Sequence, residues 1–299
     1  MGINLKARVN YSTKIMNNKN LGLILMGPAS AGKSSAMGSL GVRTLYLYGS
    51  GESHGPASAK HFNPGCDLIP VCFDLDENGN QVDPDQAYQD LVDLLNDRKQ
   101  IEEAGVKAIV LDGLTELEHL ILSTTTYKLR LASEYKGQKS FAGPIVIDMA
   151  RSVLNAIRKL QTELDIHYVI SCLLIVKEVA ENGVFTDASP QVNGFNVANA
   201  ILQQIPDRLV IGHVEMGDGK VQPRLQVGAA VGRVTKDFST KAITKIASFR
   251  CQLTGVDLSN ASTLAPNLAN VIEYKKAGRL LKKEELAAIK ELNQAIPVG

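Results

Sequence analysis

The hydrophobic pattern of the chain alternates between apolar runs and helix-period segments through most of its first 215 residues. Apolar runs at Leu21 to Met26, Arg43 to Gly49 and Val106 to Asp112 predict buried strands, and "HYVISCLLIV", from His167 onward, is the most continuous of them. Alternation of this kind is typical of a parallel sheet covered by helices. We therefore predict an α/β fold with a mostly parallel central sheet and helices on both faces.

Further segments predict three helices, a hairpin and two connecting loops. Asp83 is a candidate N-cap, with Pro84 at the first helical position and Gln86 three residues after the cap. The runs "RLVIGHVEM" and "VQPRLQVG" predict a hairpin, and "LKKEELAAIKELNQAI" predicts a charged C-terminal helix. A second helical face is formed by Val146, Met149, Ala150, Val153, Leu154, Ile157 and Leu160. Residues 123–143 show weak periodicity and 181–194 are polar, so both predict connecting loops.

Composition narrows the class of protein. The chain has 299 residues, 44% of them hydrophobic, so it is long enough for one large domain or for one domain with an appendage. No apolar stretch approaches the roughly 20 residues that span a bilayer, which predicts a cytoplasmic protein with no membrane partner. The net charge of +1 and the 5% aromatic content provide no general attraction to nucleic acid. The four cysteines lack paired spacing and predict reduced thiols.

The most informative motif follows the first predicted strand. Its sequence satisfies G-x-x-x-x-G-K-[ST], and a helix-forming run comes next, as a phosphate-binding loop requires. Glycines let the backbone curl so that successive N–H groups face phosphate oxygens. Lys33 would neutralise the β- and γ-phosphates of ATP, and the Ser34 hydroxyl would bind Mg²⁺. The predicted ATP-binding residues are Gly27, Pro28, Ala29, Ser30, Ala31, Gly32, Lys33, Ser34 and Ser35.

A Mg²⁺-bound triphosphate also needs an acidic group from a neighbouring strand. Asp112 ends the run "AIVLD" and is the second predicted metal residue. Gly113 follows it, so a catalytic glutamate beside the aspartate is missing. Thr115 and Glu118 have the spacing of a capping box at a helix start, which favours a structural role for this segment. Glu52, just beyond the second strand, is therefore the candidate water-activating carboxylate.

Taken together, the motif, the Tyr48-Gly-Ser-Gly-Glu52 segment and "AIVLD" resemble a RecA-like P-loop ATPase core. The order of these features is similar to that of the phage-encoded AAA family that includes the Sak-type single-strand annealing ATPases. This resemblance covers about Leu21 to Phe238. It implies residues 1–20 as an N-terminal extension, 21–250 as the ATPase core and 251–299 as a C-terminal helical extension.

The resemblance also implies roles for individual residues. Glu52 would be the general base, with Lys33 as the second catalytic residue. Arg233 and Lys236 fall where the family carries basic residues that reach a nucleotide across a subunit interface, although Phe238 replaces the usual arginine. The polar sensor of the later strand is unassigned, because Ser171 and Cys172 lie in the middle of an apolar run. A homo-oligomer is expected by analogy.

Two classes of function remain open from the sequence. The first is a DNA-directed ATPase of phage recombination, annealing or replication, located in the host cytoplasm. It would bind single-stranded DNA through 123–143 and 180–194, and the first of these segments carries Tyr127, Lys128, Arg130, Tyr135, Lys136 and Lys139. The alternative is a nucleotide-binding assembly, packaging or structural protein of a virus particle, with other phage proteins as partners. A small-molecule kinase shares the loop, but no Arg-rich lid is evident in the sequence.

Overall fold

The computed structural model describes residues 19–137, 142–179, 185–191, 201, 204–215, 219–226, 230–236, 245–258, 261 and 263–295. The strands in these ranges are β1 (Gly22–Gly27), β2 (Thr44–Tyr48), β3 (Leu68–Cys72), β4 (Ala108–Asp112), β5 (His167–Val179), β6 (Phe185–Pro190), β7 (Asp207–Glu215), β8 (Val221–Gln226), β9 (Ala230–Lys236), β10 (Lys245–Arg250) and β11 (Thr263–Leu264). The helices are α1 (Lys33–Met37), α2 (Gly55–Phe62), α3 (Pro84–Asn96), α4 (Arg98–Glu103), α5 (Leu114–Ser123), α6 (Thr125–Tyr135), α7 (Ala142–Leu164), α8 (Leu268–Ala277) and α9 (Lys283–Ala295). Short 3₁₀ turns occupy Gly38–Leu40 and Ser50–Glu52.

The main sheet has the strand order β11-β8-β7-β1-β5-β4-β2-β3, and β6 pairs with β5 beside this path. Strands β7, β1, β5, β4, β2 and β3 run parallel to their neighbours. Strands β8, β11 and β6 join antiparallel. The prediction of an α/β fold with a mostly parallel sheet is therefore confirmed.

The strand order determines which residues meet at one edge of the sheet. Strand β5 lies between β1 and β4, and β2 flanks β4 on its other side. Every residue of β1 and β4 is buried, as expected for central strands covered on both faces. Because these strands are parallel, their carboxyl ends lie at the same edge. Gly27, Tyr48 and Asp112 are the last residues of β1, β2 and β4, so the segments that follow them are brought together.

Several predicted elements are confirmed. The Asp83 carboxylate accepts hydrogen bonds from the backbone N–H groups of Asp85 (3.0 Å) and Gln86 (3.3 Å), which makes it the N-cap of α3. The predicted apolar face of α7 is buried along its whole length. The hairpin of β7 and β8 is antiparallel, and α9 occupies the predicted C-terminal helix.

Residues 123–143 were expected to be irregular, and this prediction is wrong for the greater part of the segment, which forms α6. The Thr124 hydroxyl caps α6 by accepting from the Tyr127 N–H at 3.0 Å. The Asp85 carboxylate accepts from the N–H groups of Thr125 (2.7 Å) and Thr126 (3.1 Å). The Thr124 cap is local to the helix, whereas the Asp85 carboxylate lies 40 positions earlier and leaves no local sequence signal. Likewise, part of the predicted polar loop at 181–194 is strand β6.

The predicted capping box of Thr115 and Glu118 is also wrong. Gly113 is the N-cap of α5, with a left-handed φ of 101°, so the helix begins two residues earlier than the box requires. The Thr115 hydroxyl instead donates to the backbone oxygen of Gln191 at 3.1 Å. Glu118 is buried on the second turn. The helix begins directly after β4 because Gly113 can adopt the left-handed conformation that the turn requires.

The segment after Arg250 contacts the sheet at two places. Strand β11 pairs with β8, and α8 packs on the 3₁₀ turn Gly38–Leu40. The buried Lys275 ammonium lies 3.0 Å from a carboxylate oxygen of Asp207. The division into a core and a C-terminal extension stays a prediction. Within the described ranges, the helices are all too short or too polar to cross a membrane.

Candidate functional site

The connection from β1 to α1, residues 27–35, is a tight loop built around two glycines. A Cβ atom at Gly27 would lie 2.6 Å from the backbone oxygen of Ile211, so only glycine fits there. Gly32 is the N-cap of α1 and has φ 94° and ψ 19°, a left-handed conformation that glycine adopts at low cost. The Ala36 N–H donates to the Gly32 oxygen at 2.9 Å, which is the first helical hydrogen bond of α1. The two glycines thus set the curl of the loop.

Lys33 is folded back onto this loop. Its ammonium donates to the backbone oxygens of Gly27 (3.0 Å) and Pro28 (2.9 Å), and the residue is 9% exposed. Burial lowers the pKa of Lys33, and the negative charges of Asp112 and Glu52 oppose that shift. The lysine is therefore a buried cation bonded to neutral carbonyls, with two carboxylates close enough to influence it.

The carboxylate of Asp112 collects hydroxyl donors from three elements. Ser34 of α1 donates to Oδ2 at 3.3 Å, and Tyr46 of β2 donates to the same oxygen at 2.5 Å. Ser171 of β5 donates to Oδ1 at 2.6 Å. The Ser171 oxygen accepts in turn from the Gly113 N–H at 2.8 Å. Asp112 is 1% exposed, so its carboxylate lies beneath the loop and reaches the cleft through Ser34.

Glu52 lies at the end of the 3₁₀ turn that follows β2 and is half-buried. Burial is the largest cause that raises its pKa, and the charges of Asp112 and Glu116 add to the increase, while Lys33 lowers it. Glu116 of α5 lies against this turn, because a Cβ atom at Gly51 would be 2.5 Å from its carboxylate Oε2. His119 contacts the same Glu116 carboxylate at 3.8 Å.

A cleft of about 720 Å³ opens over the loop. Ala29, Ser30, Ala31, Gly32, Lys33, Ser34, Ser35 and Glu52 form one part of its lining. The remaining walls come from α2, from the β7–β8 hairpin and from the segment before α8. They include Phe62, which is 66% exposed, together with His213, Pro223, Pro266 and Asn267. The cleft is therefore lined by the loop and, away from it, by a mixture of apolar and polar side chains.

The structure brings most of the predicted site residues together. Residues 29–35 of the loop and Glu52 line one cleft, and Asp112 contacts Ser34 directly behind it. Gly27 and Pro28 are not part of the cleft lining, and their backbone oxygens accept from Lys33. Arg233 and Lys236 lie on β9, which pairs with β10 apart from the main sheet, and their side chains lie outside the described part of the chain. Among the described residues, no group of three or more His, Cys, Asp or Glu side chains forms a metal site by itself.

Sequence reasoning missed Tyr46 and Phe62 and left Ser171 without a role. Tyr46 lies inside an apolar strand run and Ser171 inside another, so both were expected to be core residues. The sequence signal for Tyr46 and Ser171 was a hydroxyl group inside an apolar run. Their strands, β2 and β5, both lie next to β4, which ends in Asp112. Phe62 is the last residue of α2, and the residues around it in the sequence do not indicate that its ring is exposed.

The candidate DNA-binding residues of 123–143 are largely engaged within the protein. Tyr127 is 7% exposed, so its ring is not available to stack on a base. Arg130 pairs with Glu134 and Asp148, each at 2.8 Å. The Lys128 ammonium donates to the Ser123 oxygen at 2.7 Å. Lys139 lies outside the described residues. Within 180–194, the structure describes only 185–191, which contain β6.

No protein-family model and no curated protein matches this sequence.

Proposed function

We propose that this protein binds ATP with Mg²⁺ and hydrolyses it, using a RecA-like P-loop fold. One observation carries the proposal: Lys33, Ser34 and Glu52 line one cleft, and the Ser34 hydroxyl lies 3.3 Å from the Asp112 carboxylate behind it. A phosphate loop, a cation, a hydroxyl and two carboxylates are the groups that phosphoryl transfer to water requires. The parallel strands β1, β2 and β4 supply them at one edge of the sheet.

The residues present fit a Mg²⁺-triphosphate. Serine and carboxylate oxygens are hard ligands of the kind Mg²⁺ prefers, and Mg²⁺ in such sites is completed by water and phosphate oxygens. Mg²⁺, when bound, would neutralise charge on the phosphates. The Lys33 ammonium would exchange its two carbonyl acceptors for phosphate oxygens, which are charged and therefore stronger acceptors.

The cleft has room for the rest of a nucleotide. Beyond the loop its lining includes Ser39, Ser58, Phe62 and Pro266. An exposed aromatic ring at the wall of a cleft favours a planar, apolar partner such as a nucleobase. The loop would therefore hold the phosphates, and Phe62 would contact the base.

Glu52 is the residue best placed to take a proton from the attacking water. It lines the same cleft as the loop, on a turn fixed by the Glu52 N–H donating to the Gly49 oxygen at 2.9 Å. A raised pKa brings a carboxylate closer to the operating pH, which makes it a better general base. No carboxylate follows Asp112 directly, so Glu52 has that role alone in the proposal.

The test is ATP binding and phosphate release by wild type, Lys33→Ala and Glu52→Gln, with Lys60→Ala as a control. Lys60 is an exposed lysine of α2. We expect Lys33→Ala to lose binding and turnover. Glu52→Gln should keep binding and lose turnover by about 10²-fold or more. Normal turnover by Glu52→Gln would show that the base is another group, and a wild type that binds no ATP would refute the function.

The DNA-directed role in phage recombination, annealing or replication, as a homo-oligomer, is part of the same proposal and is tested separately. Turnover stimulated by single-stranded DNA, and binding that weakens steeply as salt rises, would support it. Assembly through apolar surface should be insensitive to salt. Salt-insensitive assembly with unstimulated turnover would favour the alternative role in a virus particle.

A further inference from the structure

We propose that Tyr46 and Ser171 are positioning residues that hold the Asp112 carboxylate so that the Ser34 hydroxyl faces Mg²⁺. This inference rests on the proposed function. We call the set of Tyr46, Ser171 and Asp112 the hydroxyl clamp. Its members come from β2, β5 and β4, which are neighbours in the sheet.

The clamp fixes both oxygens of one carboxylate. Tyr46 donates to Oδ2 at 2.5 Å and Ser171 donates to Oδ1 at 2.6 Å. Ser171 is itself held by the Gly113 N–H at 2.8 Å, so its hydroxyl hydrogen is directed at Asp112. With a donor on each oxygen, from the two strands that flank β4, rotation of the carboxylate would break at least one hydrogen bond.

Burying the three polar groups of the clamp costs free energy that a purely structural core would avoid. Tyr46, Ser171 and Asp112 are each at most 1% exposed, and most of the side chains beside them in their strands are apolar. A buried carboxylate loses its hydration and is tolerated only where hydrogen bonds replace it, whereas apolar side chains at these positions would avoid that loss. A buried polar cluster that ends at the floor of a cleft is therefore better explained by orientation of a ligand group than by packing.

The geometry also explains how the clamp acts on Ser34. A hydroxyl has one hydrogen, and Ser34 donates it to Asp112, so its lone pairs are directed away from the carboxylate. Ser34 itself lines the cleft. Its free lone pairs are thus available to a cation there, provided that Asp112 remains in place as the acceptor.

The backbone of α2 closes the space beside the clamp. A Cβ atom at Gly55 would collide with Oδ2 of Asp112 and would lie 3.1 Å from the Tyr46 hydroxyl. The first residue of α2 therefore lies directly against the bonded pair. Glycine at this position lets the helix approach without pushing the carboxylate out of its hydrogen bonds.

The test compares Tyr46→Phe with Tyr168→Phe. Tyr168 is a buried tyrosine of β5 whose hydroxyl has no hydrogen-bond partner in the part of the chain that the structure describes, so its removal is a matched control. The readout is equilibrium binding of a fluorescent, non-hydrolysable ATP analogue across a Mg²⁺ titration and in EDTA. We expect Tyr46→Phe to need about tenfold more Mg²⁺ for half-maximal binding, with unchanged affinity in EDTA. Tyr168→Phe should match wild type in both conditions.

Ser171→Ala is the second variant and removes the hydrogen bond to the other oxygen. It should shift the Mg²⁺ titration in the same direction, and it keeps the test decisive if Tyr46→Phe fails to fold. Loss of affinity in EDTA as well, by the same factor, would indicate a structural effect and overturn the clamp. If wild type and both variants bind the analogue and need the same Mg²⁺ concentration, the clamp is overturned and the proposed function stands. A wild type that never binds the analogue would overturn the proposed function with it.

Discussion

At the scale of single residues, the carboxylates around Glu52 decide how well it can act as a base. Burial raises the pKa of Glu52, and the charges of Asp112 and Glu116 raise it further. Asp112 accepts a hydrogen bond from Ser34, whereas the Glu116 carboxylate lies against Gly51. It can therefore be neutralised without removing a proposed metal residue.

We predict that Glu116→Gln moves the acid limb of the pH–rate profile to lower pH. A base is active when ionised, so turnover rises as pH increases through the pKa of Glu52. Removing a nearby negative charge favours the ionised form and lowers that pKa. Initial rates of phosphate release across the acid range measure the shift. Glu103→Gln, at an exposed residue of α4, should leave the profile unchanged, and an unmoved limb in Glu116→Gln would contradict the assigned coupling.

At the scale of elements, the start of β5 is tied to the start of β1 by a neutral histidine. The His167 Nδ1 atom accepts from the Leu21 N–H at 3.1 Å, just before the two strands begin their parallel pairing. Burial lowers the pKa of His167 to about 4, and the charge of Lys276 contributes to the decrease. A protonated ring would lose this acceptor atom.

Stability should therefore fall as pH decreases from about 6.5 to about 4. The unfolded chain binds a proton on His167 in this range and the folded chain does not, so acid favours unfolding, by at most about 3 kcal/mol. His167→Asn keeps an acceptor without a titrating group. Urea unfolding at several pH values should show a smaller slope between these limits for the variant than for wild type. Equal slopes would mean that other groups cause the acid sensitivity.

How far the elements could be predicted from the sequence depended on where their signals lie. The strands β1, β2 and β4 and the cap at Asp83 have local signals, an apolar run or a cap with its following proline, and they were predicted within a few residues. Helix α6 was not predicted, because the segment after its local cap Thr124 has weak hydrophobic periodicity and its other cap, Asp85, lies 40 positions earlier in the chain. Glu52 could be predicted as a candidate site residue, because the carboxyl ends of parallel strands lie at one edge of the sheet. Tyr46 could not, because the sequence does not show whether the hydroxyl of a buried tyrosine has a hydrogen-bond partner.

At the scale of the whole molecule, one buried ion pair connects the chain end to the centre of the sheet. The Asp207 carboxylate at the start of β7 accepts from the N–H groups of Gly22 (3.1 Å) and Thr254 (2.8 Å) and from the Lys275 ammonium (3.0 Å). The pair thus joins β1, β7, the segment after Arg250 and α8. Close to the N-terminus of the same helix, Pro266 and Asn267 line the cleft. The C-terminal segment is therefore coupled both to the core and to the proposed nucleotide site.

We predict that Lys275→Met destabilises the protein by about 3 kcal/mol, because it leaves the buried Asp207 carboxylate without its cation. Lys276→Met is the matched control, since the neighbouring lysine is exposed and forms a surface ion pair with Glu273, and it should change stability by less than about 0.5 kcal/mol. The measurement is the urea midpoint of both variants, with and without Mg²⁺ and an ATP analogue. Ligand should raise the midpoint of both variants, but less for Lys275→Met, because undocked α8 no longer presents Pro266 and Asn267 to the cleft. Equal midpoints for the two variants would show that the ion pair does not hold the C-terminal segment in place.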